Sequence, residues 1–190
     1  EPIKVAELPK VAVFPMGQHI GAPALPCVQK GDKVKVGTQI GKPIEKALST
    51  SIFSSVSGTV LKVDTVVDAS GYKKPAVYIT VEGDEWEASI DRSDKLVTLA
   101  DKPELTPEAI IEKVKDAGIV GMGGATFPTQ VKLTPPPTAK PECVIINAVE
   151  CEPYLTSDHS LMLAHAEEIC IGVQILEKAM GVKKAYIGIE

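Results

Sequence analysis

Turn-forming residues interrupt the first half of this 190-residue chain too often for any long helix: Gly31-Asp32, Gly37, Gly41, Ser57-Gly58 and Ser70-Gly71. The stretches between them favour strands. Val11-Ala12-Val13-Phe14 is a short apolar run stopped by Pro15, and Val34 and Val36 alternate with lysines. Thr59 to Val67 and Ala76 to Val81 are rich in β-branched residues. Many short strands with regular turn signals imply a sandwich or small barrel.

The pattern changes near Asp91 to Asp101, where D-R-S-D-K starts a polar linker. Thr106-Pro107-Glu108 is a helix start, with a Thr cap, Pro at the first helical position and acid in the first turn. Ile110, Ile111, Val114 and Ala117 follow at helical spacing, and Gly118 is a C-cap. Pro135-Pro136-Pro137 implies an extended connector. Cys143 to Ile146 is a continuous apolar run, which predicts a strand buried on both faces. One long amphipathic helix is expected over Ser160 to Met180, capped by Gly181, and Ala185 to Ile189 reads as another buried strand. Helix, strand, helix, strand is half of a doubly wound sheet. The expected fold class is therefore all-β followed by α/β, with domains at 1–98 and 99–190 and the second one incomplete.

Net charge of −5 and 4% aromatic residues argue against a nucleic-acid partner. No apolar run approaches the ~18–20 residues that span a bilayer. Cys27, Cys143, Cys151 and Cys170 form no C-x-x-C pair, so neither a zinc site nor an iron–sulfur cluster is expected within this span. Reduced, mostly buried thiols are the expectation, with Cys143 in the core.

The densest chemical signal is G-M-G-G-A-T-F-P-T-Q-V-K at Gly121 to Lys132. Glycines there allow close backbone approach, and consecutive N–H groups can converge on a phosphate. Lys132 adds a cation, and Phe127 can lie against a flat ring. The glycines follow a helix, unlike a dinucleotide fingerprint, and the G-K-[ST] ending of a triphosphate loop is missing. A second segment, Asn147-Ala148-Val149-Glu150-Cys151-Glu152-Pro153, lies at the carboxyl end of a predicted strand, where open α/β sheets bind ligands. Asparagine suits a flavin's imide edge or ribityl hydroxyls. The histidines His19, His159 and His165 lack ligand-like spacing and read as structural or surface groups.

Two resemblances follow from these residues. Gly31 to Ile40 and Val56 to Val60 are similar to the biotinyl/lipoyl-carrier fold, implying a barrel-sandwich hybrid. The hairpin Lys46 to Ser51 lacks that family's M-K-M pattern, so Lys46 reads as a surface lysine. The glycine loop and N-A-V-E-C-E-P-Y-L-T-S-D-H, with Gln18 to Pro23 ahead of them, resemble the C subunit of Rnf-type electron-transport complexes. That family is related to the flavin- and NADH-binding subunit of respiratory complex I. The resemblance implies a Rossmann-like FMN domain, with Gly121, Gly123, Lys132, Asn147, Glu150 and Cys151 at FMN and Gly124, Phe127 and Glu152 facing NADH. Met122, Val149 and Cys151 replace an arginine, an aspartate and a serine of the complex I pattern. Glu190 is placed at the start of a further flavin-binding segment.

It further implies a ferredoxin:NAD oxidoreductase coupled to Na⁺ or H⁺ transport, peripheral on the cytoplasmic face of the bacterial inner membrane. Other membrane subunits, NAD(H) and, indirectly, ferredoxin are the implied partners. Two 4Fe–4S clusters are expected in the parent protein outside this span, and no residue here is assigned a catalytic role. Two rival readings are a non-catalytic docking scaffold and a flavin-dependent cobalamin reductase of microcompartments. In the reductase family the glycine loop comes before the β module; here the β module comes first.

Overall fold

The computed structural model describes residues 3–68, 70–122 and 124–190. The punctuated half of the chain folds into β1 (Val11–Pro15), β2 (Leu25–Pro26), β3 (Lys33–Val34), β4 (Gln39–Lys42), β5 (Ile52–Phe53), β6 (Gly58–Val67) and β7 (Lys73–Val81). They build two antiparallel sheets, one ordered β1-β7-β6-β3 and the other β2-β4-β5. Period-two alternation sends Phe14, Val60, Val77 and Ile79 into a shared core with Met16, Ile40, Ile52 and Val56. Met16, Ile40, Val77 and Ile79 are fully buried.

The β6–β7 hairpin closes around Asp68, whose Oδ1 accepts from the backbone N–H of Ser70 and Tyr72. Its outer part carries Leu61, Val63 and Val67 on exposed positions. There Lys62 Nζ lies 4.5 Å from the Tyr78 ring centroid and pairs with Asp64 at 2.7 Å. Lys46 sits on an exposed turn.

The later elements are α1 (Pro107–Asp116), α2 (Thr129–Lys132), β8 (Val144–Ala148), α3 (Ser157–Ala164), α4 (Ala166–Met180) and β9 (Ala185–Ile189). Thr106 caps α1 as expected, its Oγ1 accepting from Ala109 N–H at 3.2 Å, and Ile110 buries the apolar face. The triple-proline connector contains a tight turn, with Ala139 N–H donating to Pro136 O. Strands β8 and β9 pair in parallel, Val144 opposite Ala185 through Ala148 opposite Ile189. Parallel neighbours need a crossover, and α3 and α4 supply it, making a βαβ unit.

Three expectations change here. The long helix is two helices, because His165 leaves helical geometry at φ −132°. His165 Nδ1 lies 2.9 Å from Glu168 Oε1, and Glu167 and Glu168 occupy the first turn of α4, where carboxylates complement the helix dipole. Gly181 then ends α4 in the left-handed conformation, as read. Strands β8 and β9 are not buried on both faces: Ile145, Tyr186 and Ile189 are exposed. Among the described residues, α4 packs on β8 and supplies one covering layer, whereas double burial needs two. The thiols follow suit, with Cys27, Cys151 and Cys170 exposed and Cys143 half-buried just before β8.

The chain divides into two compact units. One joins Glu7–Ser93 to Val114–Thr129; the other contains Asp94–Lys113 and Gln130–Glu190 with the N-terminal segment up to Ala6. Among the described residues no helix is long and apolar enough to cross a membrane.

Candidate functional site

The glycine loop is the tip of a hairpin. Thr129 N–H donates to Ile119 O at 2.9 Å and Gly121 N–H to Phe127 O at 2.8 Å, with Val120 opposite Pro128. Gly121 N–H is thereby committed inside the loop, so donors for an anion must come from the tip. There Met122 and Gly124 are exposed, and Thr126 takes a positive φ of 48°. Phe127 is half-buried. The expectation for Gly123 lies outside the described residues.

The hairpin stands on the first unit because of Gly118. Its φ is +64°, and an added Cβ would lie 2.6 Å from Ser51 O and 3.3 Å from the Phe53 ring. A side chain there would lift the hairpin base off β5.

Lys132 and the acidic segment belong to the other unit. Lys132 ends α2 on an exposed position. Asn147 occupies β8 opposite Gly188 and turns its Oδ1 back to accept Val149 N–H at 3.1 Å. This side-chain turn leads the backbone out of the strand and leaves the amide nitrogen as a donor. Cys151 and Glu152 are exposed, and Glu152 O accepts Leu155 N–H. Tyr154 follows with φ +66° and is fully exposed.

Glu150 has protein partners of its own. Its carboxylate accepts from Asp158 N–H at 2.9 Å, His159 N–H at 3.1 Å and the Ser157 hydroxyl at 3.1 Å. It therefore caps α3 from a distance in sequence, supplying what the Thr156 side chain does not. The Asp158 N–H bond, followed by those from His159 and Ser157, holds its carboxyl below the usual carboxylate range. A depressed carboxyl stabilises the fold above its unfolded pKa, and that contribution disappears as pH falls through the folded value. Acidification through that window is expected to lower the amide protection factors in the first turn of α3, exchange rates being taken relative to the unstructured chain at the same pH. Glu150→Gln should flatten the dependence, and an identical pH profile in the variant would refute the cap.

A cavity of about 230 Å³ lies at the carboxyl ends of β8 and β9, lined by Ala148, Glu150, Thr156, His159, Met162 and Glu190. The structure thus joins Glu150 to His159, read from the sequence as a structural or surface group, and to Met162, which the sequence did not single out. The available signal was the three-residue spacing of Thr156, His159 and Met162, which puts them on one helix face. Asn147, Cys151 and Glu152 flank this end of the sheet; Gly121, Gly124 and Phe127 sit in the first unit.

In comparison with known proteins, residues 1–84 match the family model of the RnfC barrel sandwich hybrid domain, and residues 114–190 match that of the Nuo51 FMN-binding domain. The family matches cut the chain at a different place from the packing, assigning Val114–Thr129 to the later segment and not to the strands. The whole chain is 44% identical to the C subunit of the Na⁺-translocating ferredoxin:NAD⁺ oxidoreductase complex of Acetobacterium woodii, covering 41% of that protein. It is 42% identical to the C subunit of the proton-translocating counterpart in Clostridium ljungdahlii, covering 40%. The C subunit of an ion-translocating oxidoreductase complex of Rhodobacter capsulatus is 41% identical over 99% of this chain, which covers 35% of it. The chain spans well under half the length of these relatives. A barrel-sandwich module followed by an FMN-domain segment, in one order and matched throughout, shows that the chain belongs to the C-subunit family of Rnf-type ion-translocating oxidoreductase complexes.

Proposed function

We propose that this chain is the FMN-holding, NADH-facing part of a complex that couples ferredoxin:NAD electron transfer to Na⁺ or H⁺ translocation. The observation that carries this reading is the open carboxyl end of a parallel βαβ pair bearing Asn147, Glu150 and Glu152, in a region matched as an FMN-binding domain. The relatives' names, two of which specify ferredoxin and NAD⁺, support the redox partners.

The residues fit a flavin mononucleotide chemically. Lys132 offers a cation for a phosphate, and Asn147 an amide donor for a polar ring edge. The 230 Å³ cavity is below the roughly 300–1,000 Å³ that encloses a small molecule, so it would hold part of the group. Bound FMN supplies two-electron exchange with NADH and one-electron exchange with iron–sulfur clusters, which this reading places elsewhere in the parent protein. The chain's own residues bind and orient. Lys132 neutralises the phosphate, Asn147 aligns the ring, and Glu150 holds the turn against α3. Glu152 faces NADH. With other membrane subunits as partners, the protein sits peripherally on the cytoplasmic face of the membrane.

The test is titration of the intact protein with FMN and with NADH. Lys132→Ala is expected to weaken FMN binding about 10- to 100-fold, the scale of a lost charge-assisted hydrogen bond. Glu152→Ala should weaken NADH several-fold and leave FMN unchanged. Unaltered FMN affinity in the first variant, or unaltered NADH affinity in the second, would sink the assignment.

A further inference from the structure

The turn Glu152-Pro153-Tyr154-Leu155 carries a residue that its backbone disfavours. Leu155 N–H donates to Glu152 O at 3.2 Å and closes the turn. Proline at the second position and a φ of +66° at the third are the marks of a type II turn, whose third position calls for glycine. Tyrosine stands there instead. A bulky side chain in the left-handed region is an outlier, and strain of this kind collects at functional sites.

Packing does not offset that strain. Tyr154 is fully exposed, so its ring gains no burial from the described residues. An exposed turn that only had to reverse the chain would be more stable with glycine, which takes positive φ freely. The counterpart of the strain is therefore a contact that the ring makes with something bound.

The segment around the turn has two sides. Glu150 and Leu155 line the cavity at the carboxyl ends of β8 and β9, whereas Glu152 and Tyr154 are exposed and take no part in it. The inner pair meets whatever resides in the cavity, and the outer pair meets whatever arrives from solvent. In the function proposed above, on which this inference rests, the resident group is FMN and the arriving ligand is NADH. A phenol ring suits a planar heteroaromatic ring in offset stacking. It also supplies that contact at low ordering cost, since a tyrosine side chain has only two torsions to fix.

We infer that Tyr154 stacks on a flat ring of the incoming NADH, and that the strained turn holds it in place at a cost in stability. Stability and affinity then pull in opposite directions at this one residue. A residue that served the fold alone would move both the same way.

Titration of the intact protein with NADH tests this. Tyr154→Gly should bind NADH about fivefold to tenfold more weakly, and Tyr154→Phe, which keeps the ring, nearly as well as wild type. FMN affinity should be the same in all three. Tyr154→Gly should melt no lower than wild type, because glycine adopts this φ without strain. Ring protons of bound NADH should show ring-current shifts in wild type and Tyr154→Phe that vanish in Tyr154→Gly; shifts on either the nicotinamide or the adenine uphold the contact and say which ring makes it. Equal NADH affinity in Tyr154→Gly, with Glu152→Ala still weakening NADH, would overturn the stacking role alone. A lower melting temperature in Tyr154→Gly would overturn the strain. No NADH binding by wild type would overturn the proposed function and the stacking role with it.

Discussion

Gly58→Ala is expected to unfold the strand-rich unit. Gly58 begins β6, where it pairs with Val34 of β3 on one side and Val81 of β7 on the other. Its φ is +151°, and a Cβ built there would lie 1.9 Å from Thr80 O and 3.1 Å from Glu82 N. Both obstacles are backbone, so no rotamer change relieves them. The flanking bonds, Ser57 Oγ–H to Glu82 O at 2.7 Å and Glu82 N–H to Ser57 O at 3.0 Å, hold the two strands at that separation. Relief requires parting β6 from β7 at the point where β3 also attaches. Strain of this kind alone costs about 1–3 kcal/mol. With the ladder bonds it disrupts, the loss reaches about 4 kcal/mol or more, much of a typical domain's stability of about 5–15 kcal/mol. Thermal melting followed by far-ultraviolet dichroism should show the first unit's transition lost or lowered by more than about 15 °C. A midpoint within a few degrees of wild type would disprove this account of the β6–β7 junction.

Ile79→Ala should produce the next largest loss. Ile79 is fully buried, lies between Ala12 of β1 and Val60 of β6 in register, and belongs to the core shared by both sheets. Truncation removes three carbons and leaves a void that flanking strands cannot close without breaking ladder bonds. The expected cost is about 2–5 kcal/mol. Denaturant titration should show a lower midpoint with an unchanged slope, since the surface exposed on unfolding stays nearly the same. Ile79→Val, which removes one carbon, should cost about 0.5–1.5 kcal/mol. Equal losses in the two variants would mean that packing at Ile79 is not the cause.

The strand-rich half was legible because strands of period two, stopped by glycine turns, leave a local mark. β1 ends at Pro15, β6 begins beside Ser57-Gly58, and the Gly31, Gly37 and Gly71 turns all adopt positive φ. Helix α1 was legible at both ends, from the Thr106 cap to Gly118. The break at His165 was less so, because the apolar spacing continues through it; only the paired glutamates that follow marked a second start. Burial of β8 and β9 was misread because an apolar run reports what a strand can bury, not which layers cover it. At the candidate site, Glu150 lies just after a strand, as read, whereas Asn147 was read as beyond the strand and β8 runs through it to Ala148. The role of Glu150 was hidden, since its partners lie seven to nine residues on and depend on where α3 begins.

By itself the sequence determined the local grammar of this protein: turns, caps, strand periods, and two segments whose composition fits a phosphate and a polar ring. These are legible because backbone sterics and side-chain capping act over a few residues. Only the tertiary structure decided that Val114–Thr129 packs with the strands, seated by Gly118 against Ser51. It also decided that Gly121 N–H is spent within the hairpin, and that Thr50 N–H meets His19 Nε2 from 31 residues away in sequence. Those outcomes rest on close packing between distant segments, where a carbonyl a few ångströms away decides which side chain fits and which donor stays free.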